Sequence, residues 1–353
     1  MKKSKEIVFF TRYAENGASS RLRFLQYLPF LKAKGVTVEV KNFFSRQYLI
    51  AKYNKKKYGL IKTIKLYLQQ FKYLQKCCND LNKIWVIEYE LFPFIPYFLE
   101  KKFLKNRQYI LNFDDNVWEK YCKLPFRLFL GSKYDKLIKN AKAVIVANQF
   151  LYEKVRKYND NLILIPTAID VARYQRHKLG KFSQFTVGWI GTPETYHYVT
   201  EFAEYWQKLA EALDFKLLII AKENLRNQSI TGVNMEFIDW SERIETSLLQ
   251  QCHIGIMPLT EDNFSQGKSA YKIVQYLASG VVPIASNVGE NNNVIRHGEN
   301  GFLVENSIEE WIKIIRKLAT DEEYLMQIRE NALCAAEKYD IKLYSERIID
   351  LID

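Results

Sequence analysis

The chain has 353 residues, 48% of them hydrophobic, and a formal charge of +12, a length that predicts about two domains with cores of their own. The charge is split: residues 1–165 carry 33 Lys/Arg against 13 Asp/Glu, and residues 166–353 carry 19 against 27, so the halves are expected to face different partners. Five cysteines without CxxC spacing argue against a disulfide framework or a zinc site. The basic start leads only into the short apolar run Ile7 to Phe10, and Leu91 to Leu99 contains two prolines; neither suits a signal peptide or a spanning helix of ~20 residues. The expected location is the cytoplasm.

In chain order, Ile7 to Phe10 reads as a buried strand. Ser19 or Ser20 then caps a helix carrying Leu22, Leu25, Leu28 and Leu31 up to Gly35. Val36 to Val40, Ile84 to Ile87, Tyr109 to Phe113 and Ala143 to Ala147 are further strands, separated by helical patterns. A second series runs from the strand Phe185 to Ile190 through a helix at Thr195 to Leu213 and strands at Lys216 to Ala221 and Met235 to Ile238. It continues with a helix at Glu242 to Gln250 and a strand at Ile254 to Met257. Both series predict doubly wound α/β domains with parallel sheets, and the polar stretch Pro166 to Lys181 marks the boundary. Ligands of such sheets bind beyond the carboxyl ends of the strands, which predicts a central cleft where two of them face each other.

Gly267 to Val304 is the most informative segment. Its loop Gln266-Gly267-Lys268-Ser269 runs into a helical pattern with Ile273, Tyr276 and Leu277, so free backbone N–H groups and Lys268 are expected to meet one anion. Lys272, four residues on, adds a second charge to the same helical face. Asp114 and Asp115 follow a buried strand, where carboxylates can act as a base, orient a hydroxyl or bind a metal; capping of the next turn is the alternative. Glu88 and Glu90 flank a similar strand end and share a face if the strand continues. Gly17, Ser20 and Arg21, with Arg23 nearby, form a loop and helix start suited to phosphate, or a plain turn. Gly191 and Thr192 close another strand, and Trp240 is placed to stack on a base or to sit in a core. His177, His197, His253 and His297 stand singly, without metal-ligand spacing. No GxGxxG or GxxxxGK[ST] motif occurs.

Lys41 to Asn79 holds ten Lys/Arg and no acidic residue. Lys62, Lys65, Gln69, Lys72 and Lys76 fall within ~80° of one another on a helical wheel, with Ile61, Ile64, Leu68 and Phe71 on the opposite side. This basic amphipathic helix is expected to face an anionic membrane through Lys62, Lys65, Lys72 and Lys76, a solvated helix over a core being the alternative. Nucleic acid is not expected as a partner, since no recognised module accompanies the charge.

The second half resembles the retaining nucleotide-sugar glycosyltransferases of family 4. The resemblance rests on Val187-Gly-Trp-Ile-Gly-Thr192, Ile238-Asp-Trp240, Ile254-Gly-Ile-Met-Pro-Leu259, Gly267-Lys268, Lys272-Ile-Val-Gln-Tyr-Leu-Ala278, Gly280, Pro283, Ala285-Ser286, Gly289 and His297-Gly-Glu-Asn-Gly-Phe-Leu303. Ser20-Arg21, Phe113-Asp-Asp115 and Ile165-Pro166 before Asp170 extend it into the first half. It implies the GT-B fold: two Rossmann-like domains facing a central cleft, with a C-terminal helix crossing back to the first. The expected domains are an acceptor-binding domain at 1–168, a linker at 169–183, a nucleotide-sugar-binding domain at 184–338 and the returning helix at 339–353.

The implied activity is metal-independent, hexosyltransferase-type transfer, with retention, from a nucleotide diphosphate sugar to a glycan or lipid-linked acceptor. The expected setting is the cytoplasmic face of the cell membrane, and no cofactor is implied besides the donor substrate. By the resemblance, Lys268 and Lys272 neutralise the diphosphate, which Gly191 and Thr192 approach. Gln275 faces the ribose, and Trp240, Gly267, Ser269, Gly289 and Asn291 complete the donor wall. Gly17, Ser20, Arg21 and Glu90 are the acceptor-side residues, with Asp114 and Asp115 joining Lys268 and Lys272 in catalysis. The family often has glutamates where Gly267 and Gln275 stand, often has a histidine at the Asp114–Asp115 position, and usually carries basic residues just after the Gly191 loop. A GT-B epimerase and a non-catalytic partner of a transferase complex are the competing readings.

Overall fold

A computed structural model describes residues 6–175, 184–222, 225, 228–305 and 307–352. The chain forms two compact units, one of Met1–Ala168, Gly267–Ser269 and Ile341–Asp353, the other of Ile169–Gln266 and Ala270–Asp340. His177 and the 176–183 part of the expected linker lie outside the described residues.

The first unit contains strands β1 (Glu6–Tyr13), β2 (Thr37–Phe44), β3 (Ile84–Glu88), β4 (Tyr109–Phe113), β5 (Ala143–Val146) and β6 (Leu162–Leu164). They form one parallel sheet in the order β2-β1-β3-β4-β5-β6. Alternation along β1 feeds two cores: Val8 and Phe10 pack with Trp85 and Leu111 on one face, and Ile7 and Phe9 with Phe24 and Leu31 on the other. The C-terminal helix Ile341–Ile352 belongs to this unit, burying Ile341 and Ile348 in the Ile7–Phe9 core. Strand order reverses at β1, so the carboxyl ends of β1 and β3 flank a topological switch point.

The second unit contains β7 (Thr186–Gly191), β8 (Lys216–Ala221), β9 (Met235–Asp239), β10 (Ile254–Met257), β11 (Val282–Ser286) and β12 (Phe302–Val304), ordered β12-β11-β10-β7-β8-β9 and again parallel. Its switch point lies between β7 and β10, which pair only at Val187–Ile254 and Gly188–Gly255. Beyond that the Tyr276 hydroxyl bridges them, accepting from the Ile190 N–H at 3.2 Å and donating to the Ile256 carbonyl at 3.1 Å. Gly255 makes this possible, because a Cβ there would stand 2.4 Å from the Tyr276 ring. Two parallel six-stranded sheets with alternating helices are the architecture that the GT-B expectation requires.

Several local expectations are corrected. The run from Leu22 to Leu31 is not one helix but Ala18–Arg23, a 3-10 turn at Leu25–Tyr27 and Leu28–Ala33. The break falls at Phe24, whose ring packs on Phe9 at 5.2 Å, and Pro29 opens the next helix without a donor. Gly17, not Ser19 or Ser20, is the N-cap. The helix expected at Thr195 to Leu213 is divided into His197–Thr200 and Ala203–Ala212, where the Trp206 indole N–H takes the Val199 carbonyl. The helix expected at Glu242 to Gln250 is confined to Glu245–Leu249.

In the helix Leu60–Cys77, the inward side is formed by the buried Gln70 and Leu74, while Lys62, Lys65, Lys72 and Lys76 are exposed. Ile61, Ile64 and Leu68 are exposed as well, while the Phe71 ring packs on the buried Phe103 at 5.4 Å, so the helix lies over the core through its inward side and leaves most of the apolar row in solvent. None of the described helices is long and apolar enough to cross a membrane.

Candidate functional sites

In the first unit, the carboxyl ends of β1, β3 and β4 gather a compact polar cluster. Ser20 sits one turn inside the helix Ala18–Arg23; its hydroxyl accepts from the Tyr13 N–H at 2.9 Å and donates to Glu88 Oε2 at 2.6 Å. The Arg12 N–H reaches the same oxygen at 2.7 Å, whereas Glu88 Oε1 is buried with no hydrogen-bond partner. Burial, reinforced by the charge of Asp114, pushes Glu88 up to about 7. Ser19 donates to Asp114 at 2.5 Å, and the Tyr89 hydroxyl donates to the other Asp114 oxygen. Asp115 is partly buried and pushed up to about 7, by burial and by Asp114, with Lys268 pulling the other way. Two carboxyl groups poised near neutrality beyond the carboxyl ends of β3 and β4 can hold or accept the proton of a hydroxyl.

Tyr89 holds a left-handed backbone, with φ 64°, and this breaks the alternation expected to put Glu88 and Glu90 on one face. Glu90, expected on the acceptor side, lies instead within a buried ion-pair cluster. Its carboxylate has no exposed surface; Lys133 stands at 2.6 Å and Arg12 at 3.0 Å, with the Tyr121 and Tyr134 hydroxyls completing its shell. Burial alone would raise its pKa, but Lys133 and Arg12 prevail and hold it below the usual value. Arg23 is likewise committed, to Asn112 and the Ile165 carbonyl. Gly17 lies close against Tyr13, where a Cβ would come within 2.4 Å, and Arg21 is partly buried on the same helix.

Gly267–Ser269 also lies in this unit. The Asn148 amide donates to the carbonyls of Gly267 at 3.0 Å and Lys268 at 3.1 Å while its oxygen caps Gln149–Val155. A Cβ on Gly267 would stand 2.5 Å from that of Asn116. The expected loop is present, but the helix after it starts later than Lys268: Asn263–Gln266 ends before the loop, and Tyr271–Ala278 begins after Ala270, which has φ 51°. Lys268 and Lys272 consequently do not share a helical face. Ser269 is partly buried.

In the second unit, Gly191 ends β7 at the switch point, and Thr192 and Thr195 cap one another in the turn that follows. A Cβ on Gly191 would meet the Trp189 ring at 2.5 Å. The Lys272 ammonium lies 4.4 Å from the centre of the Trp189 ring, a cation–π distance. Beside it is a buried network: the Gln275 amide donates to the Tyr174 hydroxyl at 3.2 Å, Tyr174 donates to Glu245 Oε1, and the Trp240 indole N–H donates to Glu245 Oε2 at 2.5 Å. The Lys222 ammonium lies 4.8 Å over the Trp240 ring. Gly289 has φ 57°, and a Cβ there would stand 2.8 Å from the Gln266 carbonyl oxygen. Asn291 is buried and donates to the Ser286 carbonyl at 2.9 Å. Among the described residues no group of three or more His, Cys, Asp or Glu is placed to hold a metal ion.

Tyr89, Tyr174 and Glu245 are the site residues that sequence reasoning did not select. Glu88 is singled out in the sequence by its place at the end of a buried strand, without a role. Tyr174 and Glu245 meet only through the fold, 71 residues apart.

Residues 184–321 match the family model described as "Glycosyl transferases group 1". Over 106 residues the chain is 24% identical to the Dictyostelium discoideum GDP-Man:Man(3)GlcNAc(2)-PP-Dol alpha-1,2-mannosyltransferase, a match covering 30% of this chain and 20% of that protein. The chain thus spans about a fifth of that relative's length. Among solved structures, a glycosyltransferase from Rickettsia africae superposes with a TM-score of 0.70 at 15% identity, covering 99% of this chain and 98% of its own. Sucrose-phosphate synthase from Thermosynechococcus elongatus gives 0.70 at 13%, covering 98% of both chains. Anabaena HepE in complex with UDP-glucose gives 0.70 at 14%, again covering 98% of both. At these identities the likeness speaks for the fold alone: the chain has the GT-B fold, and its second unit carries a group 1 glycosyltransferase match.

Proposed function

We propose that this chain transfers a sugar from a nucleotide diphosphate sugar, bound by the second unit, to an acceptor bound by the first. The observation that carries the reading is the pairing of Lys272 with Trp189 beside Gly191, at the switch point of the sheet that matches the family model. A fixed cation next to a bare backbone suits a diphosphate leaving group. Lys268 and Lys272 neutralise the charge that develops as the bond from the anomeric carbon to the diphosphate oxygen breaks. Trp240, held by Glu245, offers a face to the base, and Gln275 reaches the ribose with Gly289 and Asn291 behind it.

On the acceptor side, Asp114 and Asp115, with Ser19, Ser20 and Glu88, orient the hydroxyl whose oxygen forms the new glycosidic bond. The acceptor proton leaves with the diphosphate, the configuration is retained, and fixed cations serve in place of a metal ion. The acceptor is a lipid-linked or cell-surface glycan precursor at the cytoplasmic membrane face. The GDP-Man donor and PP-Dol acceptor in the name of the Dictyostelium relative, and the UDP-glucose bound by Anabaena HepE, support this choice of substrates. Thermal unfolding in the presence of UDP-, GDP-, ADP- and dTDP-sugars tests donor binding. One nucleotide class raises the midpoint by several degrees at saturating ligand, and no shift with any of them contradicts the assignment.

A further inference from the structure

The helix Leu60–Cys77 carries three stripes rather than two, and its apolar row borders the lysines instead of lying opposite them as expected. At about 100° per residue, the inner stripe contains Tyr67, Gln70 and Leu74, the next Leu60, Phe71, Ile64, Leu68 and Ile61, and the third Lys72, Lys65, Lys76 and Lys62. Apart from Phe71, whose ring packs on Phe103, the middle stripe is apolar and open to solvent: Leu60 is 76% exposed and Ile61 73%. A second apolar patch is formed by Leu124, Leu128 and Phe129, with Leu128 at 72% and Phe129 at 75% exposure. The two patches border one loop. The Tyr67 hydroxyl donates to the Pro93 carbonyl at 2.7 Å, and the next residue, Phe94, packs its ring on Phe126 at 5.6 Å.

We infer that this face, the outer apolar stripe of Leu60–Cys77 together with Leu124, Leu128 and Phe129, inserts into the surface of an anionic lipid bilayer. Large side chains left in water on neighbouring elements mark an interaction surface. The lysine stripe identifies the occupant, because it runs alongside the apolar one and no acidic residue lies between Lys41 and Asn79. A helix lying in a membrane plane needs acyl chains for its apolar residues and anionic headgroups for its cations. The inference deepens the membrane clause of the proposed function, but its test reads lipid binding alone, so its failure leaves sugar transfer standing.

The experiment is co-sedimentation of the full chain with vesicles of phosphatidylglycerol and phosphatidylcholine, against phosphatidylcholine alone. The wild type is expected to bind the anionic vesicles. An Ile61→Ser, Phe129→Ser double variant, which alters only exposed side chains, loses roughly tenfold in partitioning at low and high salt while its unfolding midpoint is unchanged. In a Phe129→Trp variant, brominated acyl chains quench the added emission. Full vesicle binding by the serine variant, abolished instead by Lys65→Gln with Lys72→Gln, overturns insertion in favour of headgroup attraction. Absence of vesicle binding, with self-association that the serine variant relieves, overturns it in favour of a second copy of the chain.

Discussion

The Gln275 amide lies 3.2 Å from the Tyr174 hydroxyl, which donates in turn to Glu245. A carboxylate therefore stands two hydrogen bonds from the position where the resembled family often has its own. Tyr174→Phe removes the link and leaves buried polar groups unpaired, at a cost of about 1–3 kcal/mol. Donor affinity is expected to fall about tenfold, with a lower unfolding midpoint; titration calorimetry with the donor reads the first and thermal unfolding the second.

Restoring the glutamate does not improve the site. In Gln275→Glu, one tyrosine hydroxyl faces two carboxylates, and it can donate to only one. Like charges at close quarters favour protonation of the pair. Donor binding by this variant is expected to be weaker than wild type at alkaline pH and to recover toward acid pH, a trend absent from the wild type.

Gly267→Glu is expected to be destabilising for a steric reason. Its Cβ would stand 2.5 Å from that of Asn116 and 3.2 Å from the Asn116 backbone nitrogen, so the loop held by Asn148 must move. Gly267→Ala suffers the same clash without the charge. Both variants are predicted to lower transfer and the unfolding midpoint, and an active, stable Gly267→Ala would disprove the constraint.

Lys272→Ala removes the charge over Trp189, and Lys268→Ala removes the one beside Asp115. Each is expected to depress sugar transfer by about a hundredfold, the usual effect of losing one well-placed donor to a developing anion. Circular dichroism and the unfolding midpoint should change little. Near-normal turnover in both variants would remove the lysines from the mechanism.

Glu88 gives stability a pH dependence. The folded chain keeps its proton up to about pH 7, whereas an unperturbed glutamate releases it near 4.5. Between these values the folded state binds more protons than the unfolded one, so stability falls as pH rises through the window, by about 3 kcal/mol at most. Asp115 acts in the same direction between 3.8 and about 7. Glu88→Gln is predicted to flatten the slope without abolishing it, as unfolding midpoints across this range will show.

Much of the fold was legible because buried parallel strands announce themselves: Ile7–Phe10, Tyr109–Phe113 and Ile254–Met257 are apolar runs with turn residues on either side. Helix ends were less legible, since tertiary packing decides them. Phe24 turns into the Phe9 core and splits one expected helix, and the Trp206 indole splits another. The loop at Lys268 was legible, but the late start of the helix after it was not: nothing in the composition says that Ala270 adopts a left-handed backbone. Lysine spacing revealed the basic stripe of Leu60–Cys77. Periodicity alone could not say which of the helix's two other sides was buried, because Tyr67 and Leu74 are as apolar as Ile64 and Leu68.

The central claim is that a sugar moves from a nucleotide to an acceptor. It is tested most directly by incubating the protein with radiolabelled nucleotide sugars, with and without a lipid extract, and following both nucleoside diphosphate release and label in the lipid phase. The account predicts release that depends on the extract, matched by label in lipid and lost in Lys272→Ala. Donor conversion that proceeds equally without acceptor, or no conversion of any donor that binds, would contradict it.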